Sequence, residues 1–190
     1  KKFIYTSSAS VYGASQEEVD VTSPLNPKTF YGISKMHGEE HVNGLRGSDI
    51  KVYVLRLGNV FGYSKSMRFD SVINKFMFEA NFTKRLRING DGDQWRSFIH
   101  IDRLTTILKN IAMTDLKPDI YNLVTNSLKI NAIVDELRSL YPGLEMIFVN
   151  QNMKMRSLRV KPDERIPEVR SLDIKSLAVQ MSEFKDQFSF

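Results

Sequence analysis

Cysteine is absent from the sequence. That excludes a disulfide framework, thiolate metal sites and a cysteine nucleophile. No apolar run approaches the roughly 18 residues that a membrane-spanning helix needs. A signal peptide and a lipidation motif are also missing, so a cytoplasmic setting and no membrane partner are the default expectation. Internal repeats, low-complexity tracts and long linkers are absent. So is any G-x-x-G-x-x-G turn, because Gly90-Asp91-Gly92 lies between two predicted strands, the wrong context for a dinucleotide cradle. The first residue is Lys1, not methionine, and the chain enters an apolar strand at once.

What is present is ordinary for a globular chain. The 190 residues are 42% hydrophobic and 26% charged, enough for a real core in one domain or a domain and a half. Twenty-seven basic residues stand against 22 acidic ones, a net charge of +5. This excess favours an anionic ligand. The basic residues are scattered and no DNA- or RNA-binding motif appears, so a phosphate-bearing metabolite is expected and nucleic acid is not.

Short β-like runs alternate with helical ones, the signature of an α/β fold with parallel pairing. Phe3–Thr6 reads as a buried strand, and residues 14–29, with Pro24 and Pro27, as a surface loop. A helix follows from about Phe30 to Leu45, with Ile33, Met36 and His37 spaced for one face and Gly44 and Gly47 as exit signals. Lys51–Leu57 is the next strand, then a helix over Phe69–Phe82. Strands are predicted at Leu86–Ile88, Ser97–Ile101, Asp119–Val124 and Leu144–Val149. Helices are predicted after Asp102, which serves as N-cap, and over Ile130–Leu140. Beyond Asn150 the chain is charged and irregular until a short helix near Leu172–Phe184.

Tyr31 and Lys35 lie four residues apart, on one helix face a turn apart. An ammonium beside a phenol favours the phenolate, and a phenolate is a competent base for a hydroxyl proton. The Ser7-Ser8 pair ends the first strand, where open α/β sheets place ligands, and offers a hydroxyl for the same oxygen.

These features have company. FIYTSSASVYG at 3–13, YGISK at 31–35 and RLGNVFG at 56–62 resemble the extended short-chain dehydrogenase/reductase family. They are closest to its NAD-dependent epimerase/dehydratase branch, which acts on nucleotide sugars. NGDGDQWRSFIHIDRL at 89–104 is similar to that branch's substrate-domain signature. The resemblance implies the C-terminal part of a Rossmann-like parallel sheet with a smaller α/β substrate-binding domain. Residues 1–62 would form the partial dinucleotide-binding domain and 63–190 mainly the substrate domain, with segments near 97–125 returning to the sheet.

By the same resemblance Ser8 holds the reacting sugar oxygen, Tyr31 is the acid/base, and Lys35 supports Tyr31 and the nicotinamide ribose. Ser7, Tyr31, Lys35 and Gly58 would contact the cofactor, NAD or NADP. Asn59, Arg96 and Arg156 would bind a nucleoside-diphosphate sugar, the arginines gripping its diphosphate. His100 and Asp102 are read as structural, and Met67, Phe69 and Asn74 as near the sugar. The family's dehydratases carry two acidic residues after the serine, where this chain has Ala9 and Ser10. That favours an epimerase passing through a transient keto sugar, with a keto-sugar reductase as the alternative. A non-catalytic nucleotide-binding relative is the rival outside the enzyme class. No metal is implied. A homodimer with the Tyr31 helix at its interface is expected. The adenine-binding half is expected upstream of Lys1, and without it these 190 residues are expected to be inactive.

Overall fold

The computed structural model describes residues 1–47, 49–169 and 173–188. It begins with a β-α-β unit. Strand β1 (Lys2–Ser8) runs into a 3-10 turn at Ala9–Tyr12, then the short β2 (Glu18–Val19), helix α1 (Phe30–Asn43) and β3 (Lys51–Leu57). There follow β4 (Asn59–Phe61), α2 (Val72–Phe82), β5 (Arg85–Asn89), β6 (Trp95–His100) and α3 (Ile101–Met113). The last elements are β7 (Ile120–Leu123), β8 (Asn126–Lys129), α4 (Ile130–Leu140), β9 (Glu145–Val149), β10 (Arg159–Val160) and α5 (Leu177–Asp186).

Strands β1, β3 and β7 form a parallel sheet in that order. In its register Ser7 lies beside Arg56, and Arg56 beside Asn122. β6 pairs in parallel with β4 and antiparallel with β8, while β5 and β9 form a separate parallel pair. The α/β class and parallel pairing expected from the sequence are therefore found. Within residues 97–125, β7 joins the sheet of β1 and β3, and α3 packs on it through Leu104, Ile107 and Ile111 against Tyr53, Leu55 and Tyr121. β6 instead belongs with β4 and β8.

A second core forms where α2, α4 and α5 close over β5. Ile73, Met77, Leu86, Ile133 and Leu137 are fully buried there, each side chain contributing about 1.5–3 kcal/mol by leaving water. The Ile130–Leu140 helix forms over the predicted span because its apolar residues repeat at helical spacing.

Several expectations need correction. In α1 the buried residues are Gly32, Glu39 and Val42, and His37 is exposed, its ring 2.9 Å from Glu40. Asp102 does not cap α3; His100 does, accepting from the Asp102 amide at 3.3 Å. β2 lies inside the predicted loop, and β4, β8 and β10 were not anticipated. The predicted start of the last helix, Leu172, lies outside the described residues, and the helix is found at Leu177–Asp186. No helix among the described residues is long and apolar enough to cross a membrane.

Candidate active site

A cavity of about 520 Å³ opens at the carboxyl ends of β1 and β3, where parallel sheets gather ligand-binding groups. Ser8 stands at its edge as the last residue of β1 and N-cap of the 3-10 turn. Its Oγ accepts from the Ser10 amide and donates to Ser10 Oγ, both at 3.1 Å. Helix α1 presents Tyr31 to the same cavity. The helix starts there because Thr29 caps it, accepting from the Gly32 amide at 3.0 Å. Gly32 permits the close seat: a Cβ would lie 2.8 Å from the Ser10 carbonyl oxygen.

Tyr31 is 50% exposed, and its hydroxyl makes no hydrogen bond among the described residues. The Lys35 ammonium lies 5.8 Å from the Tyr31 ring centre and 5.1 Å from that of Tyr5, and donates to the Thr6 carbonyl at 2.8 Å. The lysine is thus tied to β1 while lying over the Tyr31 ring. The Tyr5 hydroxyl sits where a Cβ on Gly38 would fall, 2.1 Å away. Burial, then Glu39 and then Tyr31 push its pKa above the usual tyrosine value.

The opposite wall is built by β4, β6 and the stretch before β10. Gly58 and Asn59 both meet the Ser97 carbonyl oxygen. Asn59 Nδ2 donates to it at 3.0 Å, and a Cβ on Gly58 would lie 2.8 Å from it. Leu158 donates its amide to Trp95 O at 3.1 Å, and Val160 to Ser97 Oγ at 2.9 Å, so the 156–160 stretch runs along β6. That course brings Arg156 against Arg96, whose guanidinium donates to the Trp95 carbonyl at 2.8 Å and to the Arg156 carbonyl. Burial, then the Arg156 charge, lowers the Arg96 pKa. Neither arginine has a carboxylate partner among the described residues. Two cations that share one wall without a counterion suit an anion.

Other predicted residues fall differently. Ser7 lines the cavity, but its hydroxyl turns inward and donates to Glu39 at 2.5 Å. Asn74 lines it too, with both amide ends used on its own loop: Oδ1 accepts from the Gly62 amide and Nδ2 donates to the Arg68 carbonyl. Met67 borders the cavity, whereas Phe69 packs on Phe78 with ring centres 5.4 Å apart. His100 caps α3 and stacks edge-on to Phe61, and burial lowers its pKa, outweighing Asp102 and Glu183. Two residues escaped notice. Glu39 and Arg56 form a buried ion pair at 2.8 Å beneath the site. Arginine in the middle of KVYVLRL was the available signal, since a charge in a buried strand needs a partner.

Fold and site together define an α/β chain with a polar, cation-lined cavity at the ends of its parallel strands. The family model described as "NAD dependent epimerase/dehydratase family" matches residues 1–123. The chain belongs to that family. It is 31% identical over 144 residues to a putative UDP-glucose 4-epimerase of Methanocaldococcus jannaschii, covering 72% of this chain and 46% of that protein. It is 30% identical over 128 residues to human dTDP-D-glucose 4,6-dehydratase, covering 66% of this chain and 36% of that one. Among solved structures, the UDP-glucuronic acid 4-epimerase of Bacillus cereus, in complex with UDP-glucuronic acid and NAD, superposes with a TM-score of 0.84. Its identity is 22%, and the match covers 97% of this chain and 60% of that one. MoeE5 in complex with UDP-glucose and NAD gives a TM-score of 0.81 at 22% identity, covering 97% of this chain and 64% of that one. The chain thus spans less than half of these curated relatives and under two thirds of these solved chains.

Proposed function

We propose that the protein containing this chain is an NAD(P)-dependent epimerase of a nucleoside-diphosphate sugar, working through a transient keto sugar. One observation carries the reading: Ser8, Tyr31, Arg96 and Arg156 all line one cavity at the strand ends. A cavity of about 520 Å³ lies within the roughly 300–1,000 Å³ range of small-molecule sites.

Tyr31 acts as base toward the sugar carbinol and returns the proton when the carbonyl is reduced. Ser8 holds the same oxygen, and Lys35 keeps a positive charge beside the phenol and the first strand. Arg96 and Arg156 grip the diphosphate and set the sugar over the Tyr31 end, an orienting task that planar forks perform well. Asn59, fixed through Ser97, contacts the substrate from the far wall.

A nicotinamide dinucleotide is the family's cofactor, and the residues present fit its reactive end. The Ser7 and Gly58 main chain, Tyr31 and Lys35 would hold it. Gly58 leaves that wall without a side chain, and no Gly-rich turn for the dinucleotide diphosphate occurs in these residues. Bound there, the cofactor would supply the hydride acceptor and donor that the sugar carbon needs.

Two features favour epimerisation over dehydration. Ala9 and Ser10 follow Ser8. Asp70 is the sole carboxylate lining the cavity among the described residues, and Arg68 holds it through two contacts of 3.0 and 2.7 Å. Among the described residues, the cavity thus offers no unpaired carboxyl group for water loss. The reading also includes a cytoplasmic homodimer with α1 at its interface, for which the 94% exposed Phe30 at the head of that helix speaks.

The test is to incubate the intact protein with UDP-hexoses and catalytic NAD while recording proton NMR and absorbance at 340 nm. An epimerase yields a second anomeric signal with no net absorbance change. Stoichiometric loss of added NAD(P)H would mark a reductase, and an unchanged sugar would favour a non-catalytic relative.

A further inference from the structure

The catalytic reading leaves unused a chain of buried polar groups directly under the cavity. Glu39 on α1 and Arg56 on β3 form its centre, each side chain only 4% exposed. Arg56 Nε donates to Glu39 Oε1 at 3.0 Å and Nη2 to Oε2 at 2.8 Å, a two-point fork. Glu39 Oε1 also accepts from Ser7 Oγ at 2.5 Å. On the other side Arg56 Nη1 donates to the Tyr12 hydroxyl at 2.9 Å, and that hydroxyl donates to Asn122 Oδ1 at 2.7 Å. Ser7, Arg56 and Asn122 are register neighbours across β1, β3 and β7. The network is therefore a polar row crossing the whole sheet, one residue below the strand ends.

We propose that this network is a positioning device that fixes the Tyr31 helix and the Ser8 turn relative to each other. The inference rests on the proposed roles of Tyr31 and Ser8. Three members of the network, Ser7, Tyr12 and Glu39, lie on the segments that carry them. Ser7 precedes Ser8, and Tyr12 closes the 3-10 turn that Ser8 caps. Glu39 lies two turns along α1 from Tyr31 and one from Lys35.

Besides the single flexible arm of Lys35 to the Thr6 carbonyl and the packing of Met36 on the cluster of Ala9, Val11 and Tyr12, the inward contacts of α1 near the site are close approaches at Gly32 and Gly38. Such contacts let a helix come near a sheet but do not fix its position along its own axis. A two-point guanidinium–carboxylate fork does, because it is directional. Stability alone is a poor reason to keep the pair, since apolar side chains of similar volume commonly replace buried ion pairs at no cost.

That equivalence supplies the test. The double variant Glu39→Met/Arg56→Met fills the space without stranding a charge. It is compared with the unaltered full-length protein for thermal midpoint, site-resolved amide exchange and, with a UDP-hexose, kcat and KM. The fold is expected to hold. Exchange at the Ser10, Gly13 and Ile33 amides is expected to accelerate about tenfold or more while β5 and β9 stay unchanged. Turnover is expected to fall about 10- to 100-fold, with KM within about threefold, as misalignment predicts.

Unchanged exchange at those three amides overturns the inference, as does loosened exchange with kcat intact. Should the double variant not fold, Arg56→Lys keeps the charge, loses the fork and takes the same readouts. Should the unaltered protein turn over no nucleotide sugar, the proposed function falls, and amide exchange alone decides whether the network fixes the two segments.

Discussion

Gly58→Ala tests how tightly the far wall of the cavity is built. The added Cβ would lie 2.8 Å from the Ser97 carbonyl oxygen, 3.1 Å from its carbon and 3.1 Å from Val124 Cγ2. Two of those neighbours are main chain of β6, which cannot swing away as a side-chain tip can. The strands must part by several tenths of an ångström, and overpacking of this kind costs about 1–3 kcal/mol. The unfolded chain opposes this, since alanine there has less freedom to lose by about 0.4–1 kcal/mol. The net expectation is a loss of about 1–2 kcal/mol. In a chain of this size that lowers the thermal midpoint by roughly 2–8 °C. Urea denaturation followed by circular dichroism measures it, with an unchanged slope expected. A site consequence follows, because Asn59 Nδ2 hydrogen-bonds the same Ser97 oxygen, so affinity for a nucleotide sugar should fall as well. Stability equal to or above that of the unaltered protein would refute the packing argument and leave cofactor contact as the sole reason for glycine.

Further expectations concern the other walls and the helix cap. Tyr31→Phe should lower turnover about 100-fold or more with no measurable change in thermal midpoint, since the half-exposed hydroxyl makes no hydrogen bond among the described residues; steady-state kinetics and calorimetry check this. A soluble nucleoside diphosphate binding between Arg96 and Arg156 should stabilise the fold by about 2.7 kcal/mol at one hundred times its dissociation constant and so raise the thermal midpoint. Arg96→Met should abolish that shift in thermal titrations. His100 should make stability depend on pH. Burial holds its folded-state pKa below 6.5, so the unfolded state binds the extra proton, and stability is full above about 6.5 and declines as pH falls through the folded value. His100→Asn should flatten denaturation midpoints measured from pH 7 down to 5.

The sequence made some elements plain because their causes are local. KVYVLRL is an apolar run, and Ile130–Leu140 repeats its apolar residues at helical spacing. Strand β8, by contrast, is Asn126–Lys129, polar and short, and exists because β6 pairs with it antiparallel. Nothing in its own residues signals that partner. The face of α1 was read only in part for a related reason: of Ile33, Met36 and His37, Met36 packs on a core cluster while His37 is exposed, and the buried positions are Gly32, Val42 and Glu39, a charge held by Arg56. At α3 an aspartate was the natural cap, yet His100 two residues earlier had the free ring nitrogen. Within the site, Ser8 and Tyr31 were legible from motif and spacing. The bonds of Lys35 to Thr6 and of Ser7 to Glu39, and the meeting of Arg96 with Arg156 across sixty residues, depend on tertiary packing and were not.

The most direct test of the account is a crystal structure of the intact protein with a UDP-hexose bound. The account predicts the reacting sugar hydroxyl within about 2.6–3.2 Å of both the Tyr31 hydroxyl and Ser8 Oγ, with the diphosphate on the Arg96 and Arg156 guanidiniums. A sugar seated away from Tyr31, or a diphosphate that leaves both arginines unengaged, would contradict it.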